Sequence, residues 1–261
     1  MCNAILLNNV TKTFSFTGKK KQKDLLISEK SRKTVLNKLS FTVNYGEVFG
    51  LLGPNGAGKT TAMRIISTLI KCDTGDVFIN GINVNVSPPI IRRNIGFLSG
   101  DLKLEEFFTP TYLFDFFSVL REVPKKIANE RREYLFTQFG IKDFENEKFI
   151  ALSSGMKQKV SIAVSLVHDP KIIVFDEPTN GLDLLAARAV TDFLLELKKI
   201  GKTIILATHI FSLAEKLCDR VGFIINGKIF HIETLNLKNK EINLEKSFFS
   251  LYDRINNEIN N

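Results

Sequence analysis

The sequence predicts an α/β protein with a mostly parallel sheet, and three observations predict it. Short apolar runs alternate with helix-period segments along most of the 261 residues. Several of those runs are apolar at every position, as expected of strands buried on both faces. One of them, VFGLL (48–52), passes through a glycine-rich turn straight into a helical pattern.

The strand candidates are 39–43, 48–52, 77–79, 95–98, 172–175, 203–207 and 221–225, with helical patterns at 59–70, 183–200 and 210–217. Between about 100 and 170 the alternation stops, and only helices are expected (111–121, 125–139, 155–168). That stretch reads as an all-helical subdomain inserted into the α/β core. One domain is expected over 1–235, with a short strand at 229–232 and a polar tail over 236–261. The amphipathic stretch 244–255 is expected to dock as a final helix.

Composition narrows the class. Hydrophobic residues at 44% and charged residues at 25% are ordinary for a globular protein. No apolar run reaches the 18 or more residues of a membrane span; the densest, 107–120, is interrupted by Pro110 and Asp115. The first residues, MCNAILLNNV, lack a basic n-region and a cleavage site, so a cytoplasmic location is expected. Cys2, Cys72 and Cys218 lack metal-ligand spacing and read as reduced thiols without a role. The formal charge of +8 is concentrated in 17–33, TGKKKQKDLLISEKSRK, with seven Lys/Arg against two acids. This reads as a solvated, mobile insert. Anionic lipid or nucleic acid is the sharper alternative, but no aromatic platform for single strands is interleaved with the lysines.

GLLGPNGAGKTT (50–61) carries the most specific chemistry. Gly53 to Thr60 fit G-x-x-x-x-G-K-[ST], directly after an apolar strand and before a helix. The loop (Asn55, Gly56, Ala57, Gly58) can curl backbone N–H groups around phosphate oxygens, and Thr61 continues into the helix. Lys59 can reach the β- and γ-phosphates, and the Thr60 hydroxyl can ligate Mg²⁺.

IIVFDEPTNGLD (172–183) ends a buried strand on Asp176 and Glu177. Two carboxylates there call for a cation. Asp176 fits a residue orienting Mg²⁺, and Glu177 a general base polarising water. A second buried strand, 203–207, ends in Thr208-His209, placing His209 where α/β proteins gather their ligands. LSSGMKQK (152–159) reads alone as a serine-capped helix start.

Together, GPNGAGKTT, LSSGMKQK, FDEPTNGLD and ATH resemble, in order and spacing, the ATP-binding cassette (ABC) ATPases. The resemblance spans roughly 4–235. It implies a RecA-like P-loop NTPase core, an antiparallel β edge and an inserted helical subdomain, with ATP and Mg²⁺ as cofactors. It implies that Gly53 to Thr61 hold the phosphates and that Phe14, with Phe16 as fallback, stacks on adenine. It assigns magnesium, base and switch roles to Asp176, Glu177 and His209. It also implies that Ser153, Ser154, Gly155 and Asp183 act on the nucleotide of the opposite subunit. Two positions depart from the family pattern. Ser154 and Met156 replace a glycine and a glutamine of the signature, and a φ > 0 at 154 would strain serine. Gly100 replaces a glutamine that reaches magnesium, leaving Asp101, beside Ser99, as its substitute. These departures, with TNGLD and the short helical region, resemble the sodium-efflux-like subunits of bacterial two-component exporters.

The implied function is the ATPase subunit of an exporter, peripheral on the inner face of the membrane. It would be docked to polytopic permease subunits through the Phe-rich 106–120 region and would close as a homodimer, or as a heterodimer with a second cassette. No nucleic acid is expected. The rival is a soluble cassette ATPase acting on ribosomes or nucleic acid, for which only 17–33 speaks. A poorly hydrolysing nucleotide-binding regulator is a third reading.

Overall fold

A computed structural model describes residues 3–22, 25–99, 104–235 and 243–260, with the side chains of 16–22, 25–30 and 256–260 outside that description. In chain order, β1 (Asn3–Gln22) and β2 (Leu25–Asn44) form a long antiparallel hairpin. β3 (Val48–Leu52) leads into α1 (Lys59–Ile66), followed by β4 (Thr74–Ile79), β5 (Ile82–Asn83), α2 (Pro88–Asn94) and β6 (Ile95–Ser99). Three helices come next: α3 (Pro110–Leu120), α4 (Lys125–Phe139) and α5 (Ser154–Ser165). Then β7 (Ile172–Asp176), α6 (Leu184–Lys199), β8 (Thr203–Thr208), α7 (Phe211–Leu217), β9 (Arg220–Ile225) and β10 (Lys228–Thr234) complete the α/β core, and α8 (Leu244–Asn260) ends it.

The six-stranded sheet has the order β10-β9-β3-β8-β7-β6, parallel throughout except for the β9–β10 hairpin. Its central strands alternate between two apolar cores. Val48, Leu52, Ile173, Phe175, Ile204 and Leu206 face the helical side. Phe49, Leu51, Ile172, Val174, Ile205 and Ala207 face α1 and the second sheet. Both faces are covered, which is why those strands read as apolar at every position. The second sheet, β2-β1-β4-β5, is antiparallel and forms the β edge, with α1 packed between the sheets.

Sequence patterns locate α3 to α6 well because local chemistry sets their ends. Thr109 caps α3 by accepting from the Tyr112 N–H at 3.2 Å, with Pro110 at the first helical position. Gly140 closes α4 in the left-handed conformation (φ 60°). Elsewhere the structure corrects the reading. The candidate 39–43 is only the end of a 20-residue strand. The basic segment, read as a mobile insert, continues the β1–β2 ladder, with pairs such as Thr17↔Lys30 and Lys21↔Leu26. Antiparallel pairing satisfies the backbone there, and the sequence of this stretch carries no regular alternation that would mark it. The helical pattern 59–70 stops at Ile66, where Thr68 turns to φ 61°. α2 was missed, being only seven residues long. The final helix runs to Asn260 rather than 255.

One of the three thiols is held inert by its surroundings. Cys218 is fully buried and its thiol is pushed up to about 12 by that burial, so it stays protonated. Its Sγ lies 2.7 Å from where a Cβ on Gly50 would sit, so glycine is required there for strand and helix to meet.

Candidate functional site: a phosphate loop and an acidic pair

The parallel strands β3, β7 and β8 all deliver their C-terminal ends to one edge of the sheet. That shared direction brings together residues more than a hundred positions apart. From β3 comes the loop 53–58, with Pro54, Asn55 and Gly56 exposed and Ala57 to Lys59 buried. α1 begins at Lys59, so the unpaired N–H groups of its first turn and its dipole face the loop. Gly58, at φ 108° and ψ 2°, makes the entry turn. A side chain on Gly58 would meet the Val35 carbonyl oxygen at 2.9 Å and Leu36 Cδ2 at 2.7 Å.

Lys59 is 6% exposed, and its Nζ donates to the carbonyls of Gly53 (2.6 Å) and Pro54 (3.2 Å). The same ammonium lies 3.4 Å from the Glu177 carboxylate. Glu177 follows β7 with its backbone at φ 52°, a left-handed conformation costing about 1–2 kcal/mol for a residue with a side chain. Its N–H donates to the Ala207 carbonyl of β8 at 2.9 Å, which holds it in place despite the strain. The carboxylate lies 3.0 Å from His209 Nδ1 through either oxygen. Glu177 is therefore wedged between a lysine and an imidazole, and His209, expected at a ligand-gathering strand end, faces it across the sheet edge.

Asp176 is 4% exposed. Burial, the largest influence, raises its pKa, with Glu177 adding to the rise; the Thr60 hydroxyl bond and Lys59 oppose it. Its Oδ1 is buried without a hydrogen-bond partner. An orphaned carboxylate oxygen beside a threonine hydroxyl suits a hard divalent cation, so the residues present fit Mg²⁺. Gly100, the departure from the family's glutamine, and Asp101, its expected substitute, lie outside the described residues, as does the side chain of Phe16.

The folded pKa of Asp176 lies above the unfolded one, so ionising it costs the folded state stability as pH rises through that interval. At neutral pH that cost is in force. Asp176→Asn is thus expected to raise the melting temperature of the nucleotide-free protein while removing the gain that Mg²⁺-ATP confers. Thermal scans in EDTA and with Mg²⁺-ATP check both signs; a lower melting temperature in EDTA overturns the assignment.

The LSSGMKQK segment starts α5. Ser153 caps it, accepting from the Met156 N–H at 3.2 Å, and Ser154 is the first helical residue, so serine is unstrained at 154. Ser154 Oγ donates to Gly181 O at 3.4 Å and Gln158 Nε2 to Pro178 O at 2.9 Å, which ties α5 to the loop behind Glu177. Asp183 caps α6 by accepting from the N–H groups of Leu185 and Ala186, and these bonds hold its pKa down, that to Ala186 most of all. A Cβ on Gly155 would meet Ala186 Cβ at 3.2 Å, so the glycine lets the two helix N-termini sit side by side. Phe14, half-buried on β1, lies opposite Lys33 of β2, two residues before Val35, whose carbonyl touches the Gly58 turn. The Lys12 ammonium sits 5.5 Å from its ring centroid.

Two contributors carried no weight in the sequence. Gln158 was part of a quoted motif but had no role. Gly227 (φ 75°) donates to Ala57 O at 2.9 Å, and a Cβ there would lie 2.2 Å from Val35 O. Asn226-Gly227 was legible as a hairpin turn, but its support of the phosphate loop is purely tertiary.

Known proteins with the same arrangement are numerous. The ABC transporter family model matches residues 36–180. The ABC transporter ATP-binding protein NatA of Bacillus subtilis is 36% identical over 81% of this chain and 88% of its own. The doxorubicin resistance ATP-binding protein DrrA of Mycobacterium tuberculosis is 33% identical over 89% of this chain and 66% of its own. Among solved structures, an ATP-binding subunit of an ABC transporter superposes with a TM-score of 0.80 at 26% identity, over 95% of this chain and 99% of that one. A dimeric ATP-binding cassette in a post-hydrolysis state, bound to ADP and Pi, superposes with a TM-score of 0.74 at 28% identity, over 89% and 99%. The chain belongs to the ABC transporter family: it is an ATP-binding cassette, with ATP and Mg²⁺ as cofactors and ATP hydrolysis as its reaction.

Proposed function

We propose that this cassette powers an exporter, driving transport through separate polytopic membrane subunits by ATP-dependent closure of a dimer. The observation that carries this is a full phosphate-loop and acidic-pair site in a chain whose described helices include none long and apolar enough to cross a membrane. In this reading Gly53 to Thr61 hold the phosphates and Phe14 stacks on adenine. Thr60 and Asp176 hold Mg²⁺, which when bound neutralises developing phosphate charge. Glu177 accepts the proton of the attacking water, and His209 orients that carboxylate through their 3.0 Å contact. Ser153, Ser154, Gly155 and Asp183 sit at paired helix N-termini, a natural place for the γ-phosphate held by a second cassette. A dimeric relative in the post-hydrolysis state supports closure, and a resistance protein among the relatives supports the outward direction.

The helical subdomain offers the membrane partner a surface. On α3 the aromatic residues divide by face. Phe114 is fully buried against Phe136, while Tyr112, Phe116 and Leu120 follow one another four residues apart and are exposed. Beside them, a groove of about 670 Å³ runs between α2 and the α3–α4 turn, edged by Arg92, Arg93 and Arg121. His168 at its base is pushed down to about 4 by burial and then by Arg121, so it is neutral.

Purification of the tagged chain from solubilised membranes is expected to bring down a polytopic membrane protein. Phe116→Glu, placing a charge on the exposed stripe, is expected to cut that recovery about thirtyfold, the effect of losing one interface hot spot. Turnover stimulated by ribosomes or DNA, with no membrane protein recovered, would overturn the reading.

A further inference from the structure

α8 borders an open pocket at the catalytic edge of the sheet. Its start is anchored: Asn243 Oδ1 accepts from the Lys246 N–H at 2.8 Å, and Glu215 of α7 accepts from the Leu244 N–H at 2.9 Å. Leu244, Phe248 and Ile255 are buried. Phe248 meets Phe211 and Phe223 at centroid distances of 5.6 and 5.5 Å and stacks on Tyr252 at 5.9 Å. Phe211 opens α7, two residues after His209. The aromatic face of α8 is thereby set against the switch histidine and the phosphate loop.

Packing is incomplete between them. A cavity of about 270 Å³ remains, walled by Phe211, Phe248, Phe249 and Tyr252, with Pro54 and His209 on the catalytic side. Among the described residues, no side chain lining it carries a fixed charge. An apolar space of ~150 Å³ takes one benzene ring, so this pocket, open to solvent on the Phe249 and His209 side, has room for about two fused rings. Four aromatic walls favour a flat π-system by offset and edge-on contact.

We propose that this cavity is a binding site for a small uncharged aromatic molecule of about two fused rings. Bound there, it braces His209 and Pro54 against α8 and so alters ATP turnover. The turnover effect rests on the function proposed above; the binding does not.

Indole is a suitable probe. Equilibrium dialysis of the full chain is expected to show one saturable site, with naphthalene-1-sulfonate, similar in size but charged, binding at least about tenfold more weakly. Phe249 is half-exposed, so it can be changed without emptying the core. Phe249→Ala removes a wall and Phe249→Trp fills the space. Each is expected to weaken indole binding about tenfold while melting within a few degrees of wild type. Saturating indole is expected to change wild-type turnover at least about twofold and to leave Phe249→Trp unaffected. Unsaturable uptake, equal binding of the sulfonate, or wild-type affinity in either folded variant would overturn the site. Saturable binding with unchanged turnover would overturn the bracing alone and leave the ATPase reading intact.

Discussion

Glu177→Gln is expected to leave ATP binding and dimer formation intact and to lower turnover by about 10²- to 10⁴-fold, the range set by loss of a general base. The change is nearly isosteric, and the backbone bond to Ala207 that holds position 177 is untouched. What is lost is the proton acceptor. The amide also no longer pairs with the Lys59 ammonium at 3.4 Å, which frees that lysine for phosphate. Nucleotide affinity is therefore expected to hold or rise while hydrolysis stops. Nucleotide titration, sizing with ATP and phosphate release under saturating Mg²⁺-ATP separate the three quantities. Unchanged phosphate release would sink the assignment of the base.

The second large effect is expected from the loop itself. Gly58→Ala should lose about 3 kcal/mol of stability and at least about a hundredfold in ATP affinity. Two costs combine: φ of 108° is a region that residues with a Cβ rarely adopt, and the new methyl would sit 2.9 Å from the Val35 carbonyl oxygen. For a chain of this size that corresponds to a fall in melting temperature of roughly 6–12 °C. Gly56→Ala is the built-in comparison. It also has φ > 0 (80°), yet no other heavy atom lies within 4 Å of its new Cβ. Only backbone strain remains, about 1 kcal/mol. Equal losses in the two variants would show that conformation alone, and not the contact with β2, sets the loop.

How much of this was legible depends on the range of the physics. VFGLL, IIVF and TIILA were recognisable as strands because burial on both faces removes the polar alternation, and the structure places them at Val48–Leu52, Ile172–Asp176 and Thr203–Thr208. α4 was readable because a turn residue closes it in the left-handed region. The basic hairpin was not, because its ladder is held by backbone pairing between residues that show no pattern of their own. The divided α3 illustrates the same limit. Its phenylalanines are alike in sequence, yet Phe114 is core and Phe116 is surface.

The chemistry was written locally. A lysine and a threonine after a glycine turn, two carboxylates closing an apolar strand and a histidine closing another can each be read in a dozen residues, because strand ends and helix starts impose their own spacing. The relations among them were not. That Glu177 stands between Lys59 and His209 in a strained backbone, that Ser154 is simply helical, that Gly227 props the loop and that α8 borders a pocket beside His209 all depend on contacts between distant segments. Such contacts follow from how two sheets and their helices pack, and packing is a property of the whole chain that no window of sequence contains.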